Sequence, residues 1–553
     1  MKLSVVIPTR NRRHLLARTL PTVLNQNVAP GEYEVLVVSD GSTDGTADFV
    51  RGVKTTVPLR VLDRDHRGIA AAQNAGIEQA RGDLVMVLDD DILCGPALMD
   101  RHLDAHQEDF FCVAFGPRFF SPESRPGLAT AMLGNWYRDH ARRLTQEGGP
   151  RGRFDVWLDS NFSVPRKLLL AHGGFDESLK YSTEDRELGT RLWDAGVRFK
   201  FLPDAPVYEI YTKSADDVVF SDAPSIGVDE IKFSRKAPGY RRFSLPASLL
   251  GQSRAKQMAW WMFCAPPISP DPVLRIPCLL TERLRRNARI ESFGIRVLQY
   301  RKATAVMRSA MREAGSWRAL RDEFGVLLPV LRYRAKVGCR FQAQVRWLAR
   351  RGYVGITPSQ WLAWVRRGAP LPERPVLISF EPAHGQLAEH ALPVLRRYGF
   401  GAVVHVALAQ TDGRPQSDRR SQPRPMTAEQ IRYWAGHGIE FGLCGRSYSG
   451  LTEFEGPALT EEVASGLKDL EQVLGYRPVS FAYPHGPLDH AMVERVRQCF
   501  DLALSGAPGL NSLCTDPHLM RSAAITPDSH MRELACAVLF GRPKLRLRGW
   551  PGK

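Results

Sequence analysis

From Lys2 to about Thr212 the chain alternates short apolar, β-branched runs with stretches of helical spacing. Leu3–Ile7, Glu34–Val38, Arg60–Leu62 and Leu84–Leu88 are apolar almost without interruption, as strands covered on both faces are. Helical spacing at Arg12–Asn25, Thr46–Val53 and Ile69–Gln79 fits between them, which predicts βαβ units and a parallel sheet. From about 213 to 334 the strand signal fades. Thr281–Arg289 and Arg296–Ala314 there have helical spacing and basic faces. The α/β texture returns from about 335 to 541, with strands expected at Val376–Phe380 and Gly401–Val406 and helices at Thr427–Gly436 and Thr460–Leu474. Gly413–Pro425 is polar and proline-rich and reads as a loop. No internal repeat is evident.

Composition narrows this picture. At 553 residues more than one core is required, and 44% hydrophobic with 24% charged residues is the make-up of a folded globular chain. The formal net charge of +16 favours anionic partners: nucleotide diphosphates, an anionic membrane face, or merely a solvated basic surface. The nine cysteines follow no C-x-x-C spacing, which argues for a reducing compartment and against a disulfide framework or structural zinc. The Met1–Arg10 stretch lacks the apolar length of a signal peptide, and no run is long enough to span a bilayer. A cytoplasmic chain is expected, with peripheral contact at the inner face of the membrane left open.

Chemistry concentrates where the expected strands end. Val5-Val6-Ile7 runs into Pro8-Thr9-Arg10-Asn11, placing backbone donors and a cation at the carboxyl edge of the sheet. The second strand runs into Ser39-Asp40-Gly41-Ser42-Thr43-Asp44-Gly45-Thr46. Asp40 there has the reach to accept hydrogen bonds from a base or ribose, although the same cluster also suits a tight turn with a helix cap. The fourth strand enters Asp89-Asp90-Asp91. Three adjacent carboxylates closing an apolar strand repel one another and call for a cation, and oxygen-only ligands suit Mg²⁺ or Mn²⁺ bridging a diphosphate.

These segments, with Arg67-Gly68, Gln73-Asn74-Ala75-Gly76, Asp159–Val164, Gly173–Glu177 and Glu184–Leu188, resemble family-2 glycosyltransferases of the GT-A fold over about residues 1–215. The resemblance implies a Rossmann-like domain that binds a nucleotide-sugar donor through Pro8, Thr9, Arg10, Asp40, Arg67, Asp89 and Asp90. It implies a divalent cation, Mn or Mg, held by Asp89 and Asp91, and catalysis by Asp185, the expected general base, beside Glu184 at a helix start. Direct displacement by one base inverts the anomeric centre. Two departures stand out: Gln73 where the family often has Arg, and Val207-Tyr208-Glu209 where it often has a metal-binding His, which makes Glu209 the third expected metal ligand.

The last block is similar to NodB-type polysaccharide deacetylases over about 335–530, through Arg374–Phe380, His390–Phe400, Met426–Ile431, Gly438–Gly442 and Ser480–Gly486. The family's strand exit Phe-Asp-Asp-Gly is here Phe380-Glu381-Pro382-Ala383, and its two ligand histidines fall on Cys444 and Tyr448. A hydrolytic zinc site needs about three protein ligands; His384, Cys444 and His485 are a conceivable alternative set. The expectation is a (β/α) barrel scaffold without deacetylase activity, keeping a saccharide groove near Tyr483.

The whole chain is thus expected to be α/β, with a GT-A domain at 1–215, a basic, partly helical connecting or acceptor region at 216–334 and a deacetylase-type domain at 335–541. Its partners are expected to be a nucleotide-sugar donor and a glycan or lipid-linked acceptor in surface polysaccharide or glycoconjugate synthesis, not nucleic acid. A bifunctional transferase/deacetylase and a non-catalytic saccharide-binding scaffold are the alternatives.

Overall fold

The computed structural model describes residues 1–152, 156–158, 160–179, 183–264, 270–284, 287–334, 340–407, 424–446, 459, 461–484, 488–526 and 529–544. Tyr448, His485, Asp159, Cys339 and most of the 413–425 loop lie outside them. The chain forms two compact units: Met1–Lys236 with Trp261–Ser316, and Ala237–Trp260 with Trp317–Lys553.

In the first unit, β1 (Leu3–Thr9), β2 (Tyr33–Asp40), β3 (Leu59–Arg64), β4 (Leu84–Val87), β6 (Cys112–Phe115), β8 (Phe162–Pro165) and β9 (Arg198–Phe201) form one sheet, ordered β3-β2-β1-β4-β8-β6-β9. β5 (Ile92–Cys94), β7 (Arg118–Phe120) and β10 (Val207–Glu209) form a small second sheet. α1 (Arg13–Leu24), α2 (Thr46–Gly52), α3 (Ile69–Gln79), α4 (Leu98–Glu108), α5 (Leu128–Glu147), α6 (Arg166–Ala171) and α7 (Glu184–Asp194) connect them. The near-continuous apolar runs are explained by two cores. Val5, Ile7, Val35 and Val37 face Leu16, Leu20 and Val23 of α1, while Val6, Val38, Val85 and Val87 face Ala70, Ala72 and Ile77 of α3. β3 is only half-buried because it is the sheet edge, not the interior strand its sequence suggested. A Cβ on Gly76 would lie 2.3 Å from Val6 Cγ1, so this glycine lets α3 settle on β1. Because β1, β2 and β4 are parallel and in register, Thr9, Asp40 and Asp89 leave the sheet at one edge.

The unit is completed by α8 (Ala223–Lys236), the end of α9 (Arg254–Cys264), α10 (Asp271–Leu284) and α11 (Ala288–Glu313). The single helix expected over 281–289 is instead the end of α10 and the start of α11, where the Asn287 side chain accepts the Arg289 N–H at 2.9 Å as an N-cap. Arg301 is fully buried and neutralised by Asp216 and Asp271, each at 2.7 Å.

The second unit holds a parallel sheet in the order β17 (Leu502–Leu504), β16 (Ser480–Ala482), β15 (Ile439–Leu443), β14 (Ala402–Val406), β13 (Pro375–Glu381), β11 (Val330–Arg334), β18 (Ala523–Ile525), with β12 (Val354–Ile356) also on β13. The segment entering β18 hydrogen-bonds to β17, through Met520 N–H to Ala503 O and Ser505 N–H to Met520 O, so the sheet curls towards a barrel. β11 precedes residue 335 and lies inside this sheet. The Thr427…Gln430 pair of the sequence is a capping box: Thr427 accepts the Gln430 N–H and Gln430 accepts the Thr427 N–H.

Candidate active site

On the donor side, the exit of β2 is locked to the loop before α3. Asp40 accepts the Arg67 and Gly68 N–H groups at 3.0 and 2.8 Å, meets the His66 ring at 2.7 Å and pairs with Arg64 at 3.8 Å. Burial pushes the Asp40 carboxyl up, but these donors win and hold it below the usual carboxylate range. His66 Nε2 lies 2.9 Å from Arg10 Nη1. Arginine can only donate, so the ring accepts at Nε2 and donates from Nδ1 to Asp40, forming an Arg10–His66–Asp40 relay. Asp40 is only 4% exposed, whereas Arg10 and His66 both reach solvent. Pro8 is buried in β1 opposite Val38, and the exposed Arg67 pairs with Glu177 at 3.1 Å. The Ser39–Thr46 loop packs on the start of α1: Asp44 accepts the Arg13 N–H at 2.9 Å, capping α1 from outside its own strand.

The three aspartates do not share one direction. Thr9 donates to Asp90 at 2.6 Å, and Arg12 reaches both Asp90 at 2.8 Å and Asp91 at 2.5 Å. Burial and the neighbouring charges of Asp91 and Asp89 raise Asp90 to about 7, against the pull of Arg12 and Thr9. Asp89 turns the other way, accepting from Ser160, and shares Arg118 with Glu209, whose carboxylates lie 3.9 and 3.4 Å from the same Nη1 atom. Among the described residues, no three His, Cys, Asp or Glu side chains are gathered tightly enough to be a ready metal site. Asp89 and Glu209 nevertheless converge on one cationic atom, and all-oxygen donors suit a hard divalent ion, so this pair fits such a cation; Asp91 faces Arg12.

Glu184 and Asp185 open α7, where the helix dipole favours acids. Glu184 is buried, accepts the Thr183 N–H at 3.0 Å, and is raised to about 7 by burial and then by the charge of Asp89. Asp185 is the more exposed of the two and accepts the Arg186 N–H at 2.7 Å. An aromatic wall accompanies these groups. Arg118 lies 4.5 Å over the Tyr137 ring, Trp136 meets Trp157 at 4.8 Å, and Arg186 sits 4.0 Å over Trp157.

Arg12, His66, Arg118 and Ser160 were not expected from sequence. Arg12 carried a signal, standing among basic residues after a strand whose neighbour ends in acids. Arg118, on a three-residue strand, carried none.

In the second unit the strand exit of β13 is ion-paired. Arg332 and Arg334 reach the buried Glu381 at 3.1 and 2.9 Å. Cys444 is buried, and desolvation followed by the charges of Glu381 and Glu462 drives its thiol well above the ordinary value. The carboxylate beside Cys444 is thus already held by two arginines. His384 is buried at this exit as well.

Residues 4–156 match the sequence model of glycosyl transferase family 2, and residues 368–499 that of polysaccharide deacetylase. Validoxylamine A glucosyltransferase of Streptomyces hygroscopicus subsp. limoneus is 34% identical over 219 residues, 35% of this chain and 48% of that protein. Chondroitin synthase of Escherichia coli is 26% identical over 235 residues, 37% of this chain and 34% of the synthase. The chain thus spans about half or less of these two relatives. Among solved structures, the mannosyltransferase PcManGT from Pyrobaculum calidifontis in complex with GDP-Man and Mn2+ is 18% identical at a TM-score of 0.37, over 56% of this chain and 86% of that one. IcaB from Ammonifex degensii is 23% identical at a TM-score of 0.34, over 39% and 98%. Strand exits, family matches and element order agree: the chain carries a glycosyl transferase family 2 domain at its N-terminus and a polysaccharide deacetylase-type domain at its C-terminus.

Proposed function

We propose that this chain is an inverting glycosyltransferase that moves a sugar from a nucleotide-diphosphate donor to a glycan or lipid-linked acceptor. The observation that carries the reading is the convergence of Asp89 and Glu209 on Arg118 at the sheet edge, with Glu184, the neighbour of Asp185 at the start of α7, feeling the charge of Asp89. Arg10, with Asp40 behind it, and Arg67 contact the nucleoside side of the donor, while Thr9, Asp89 and Asp90 frame its phosphates. Asp89 and Glu209, with Asp91 behind Arg12, would hold a divalent cation, Mn²⁺ or Mg²⁺; when bound, it neutralises the departing diphosphate. Asp185 takes the proton of the acceptor hydroxyl. The freed oxygen pair forms the bond to the anomeric carbon, and the carbon–oxygen bond to the diphosphate breaks with its pair on the leaving group. Trp136 and Trp157 offer ring faces against which an acceptor sugar can lie. A lipid-linked acceptor would bring the chain to the inner face of a membrane as a peripheral protein.

We further propose that the second domain acts by binding rather than hydrolysis, because Glu381 is already held by Arg332 and Arg334. The test is a screen of UDP-, GDP- and dTDP-sugars with the full chain. One donor should be cleaved only with Mn²⁺ or Mg²⁺ present, and Asp89→Ala should abolish this while circular dichroism stays unchanged. The same preparation should hold no stoichiometric zinc and release no acetate from N-acetylated oligosaccharides. A folded chain that neither binds nor cleaves any donor overturns the transferase reading, and one zinc per chain with acetate release overturns the second.

A further inference from the structure

A helix packed on a domain normally turns its polar side to water. α10 does the opposite. Its inner face is fixed: Cys278 and Thr281 are buried, and Leu274 packs with Leu128, Val297 and Leu298. Its outer face carries Val273, Ile276, Leu280 and Leu284 at i, i+3, i+7 and i+11, with Leu279 beside them, all 52–72% exposed. The neighbouring α11 presents an outer stripe of Arg289, Phe293, Arg296 and Tyr300, again at helical spacing, with Phe293 and Tyr300 at least half exposed. Just upstream in the chain, Trp261, Met262 and Phe263 close α9 with their side chains in solvent. An apolar surface of this extent marks a contact site.

The charge around it says what kind. Arg283, Arg289 and Arg296 are exposed, and among the described residues none has a carboxylate within ion-pair distance. Arg285 and Arg286 fall in the same stretch of sequence. The acids of α10 are already engaged: Asp271 holds Arg301, and Glu282 accepts the Leu128 N–H. The surface is therefore apolar with a net positive border. Among the described residues no helix is long and apolar enough to cross a membrane, and α10 has only 14 residues. A short helix with aliphatic residues outward and arginines at its margin suits the plane of an anionic bilayer, its side chains reaching the acyl boundary and its guanidinium groups the phosphates.

We propose that the outer face of α10, with the Arg289–Tyr300 stripe of α11, docks this chain on an anionic lipid surface. The proposal extends the transferase reading towards a lipid-linked acceptor, but it is tested without donor or acceptor, so its failure leaves that reading standing. The full chain is mixed with vesicles of phosphatidylglycerol and phosphatidylcholine in equal parts, or of phosphatidylcholine alone, and sedimented. Wild-type protein should pellet with the anionic vesicles, less with the neutral ones, and progressively less as salt is raised. Leu280→Glu combined with Leu284→Glu should weaken binding about tenfold or more; both positions are solvent-facing, and circular dichroism checks the fold. Arg283→Glu with Arg289→Glu should remove most of the preference for anionic lipid. Wild-type protein that stays in the supernatant with both vesicles overturns the proposal. So does unchanged binding by the leucine variant, or a dimer in light scattering that this variant dissociates without any vesicle binding, which would give the face to a second copy.

Discussion

Arg12 reaches Asp90 and Asp91 while Arg118 reaches Asp89 and Glu209, so each carboxylate pair at the β4 exit has its own guanidinium. The carboxylates were legible in the sequence because adjacent acids closing an apolar strand demand compensation. Of the arginines that supply it, Arg12 left a trace in the sequence but Arg118 did not, because it comes from a strand whose place beside β10 depends on the whole second sheet. Glu184 and Asp185 show the same division. Sequence marks both as acids at a helix start, and only burial separates them, raising Glu184 above the usual carboxylate range. Asp185→Asn should therefore keep donor affinity in calorimetry but slow transfer roughly a hundredfold or more, as loss of a general base does. Glu184→Gln should cost far less. If the two effects come out reversed, Glu184 is the base.

At the scale of elements, the first four strands and first three helices were readable to within a residue or two, since their periodicity marked the faces that are covered; β5–β10 and α4–α7, shorter or more mixed in composition, were not read that way. Misreadings arose where neighbours decide. β3 looked interior but is an edge, and the basic run 281–289 looked like one helix but spans a cap at Asn287. The motif residues Asn74 and Gly76 also prove to be packing devices. Asn74 holds the 175–177 turn through Phe175 N–H and O, and Gly76 admits Val6. Gly76→Ala should force Val6 aside and cost about 1–3 kcal/mol, lowering the melting temperature by about 2–4 °C for each kcal/mol in a unit of this size. Pairing it with Val6→Ala should recover part of the loss. Additive losses in the double variant would place the strain elsewhere.

For the molecule as a whole, acid should be felt in both units through buried histidines, notably His102 in the first, where burial also lowers its neighbour His106, and His405 in the second. His102 lies between Ser163 and Asn161 at 2.8 and 3.2 Å, and burial lowers it to about 3. His405 lies between Ser379 and Ser480 at 3.3 and 3.4 Å and is lowered to about 3 by burial and then by Arg332. Both rings are neutral in the fold, whereas an unfolded histidine takes a proton below about 6.5. Their contribution is therefore complete above about pH 6.5 and shrinks as the pH falls towards 3, by about 2 kcal/mol per histidine at pH 5. Urea unfolding at pH 7 and pH 5 should show both units weakened at the lower value, and His102→Asn should reduce the pH dependence of the first unit alone, His106 keeping the rest. Equal stability at the two pH values would mean that the rings are charged in the fold.

The two units are threaded through one another in sequence, since Ala237–Trp260 goes with the later half and Trp261–Ser316 returns to the earlier one. A single crossover between genes could not pass either half on intact: a break after residue 334 would strip the barrel of Ala237–Trp260 and of β11, the strand between β13 and β18. Any single cut between residues 237 and 316 therefore takes a segment away from one unit or the other.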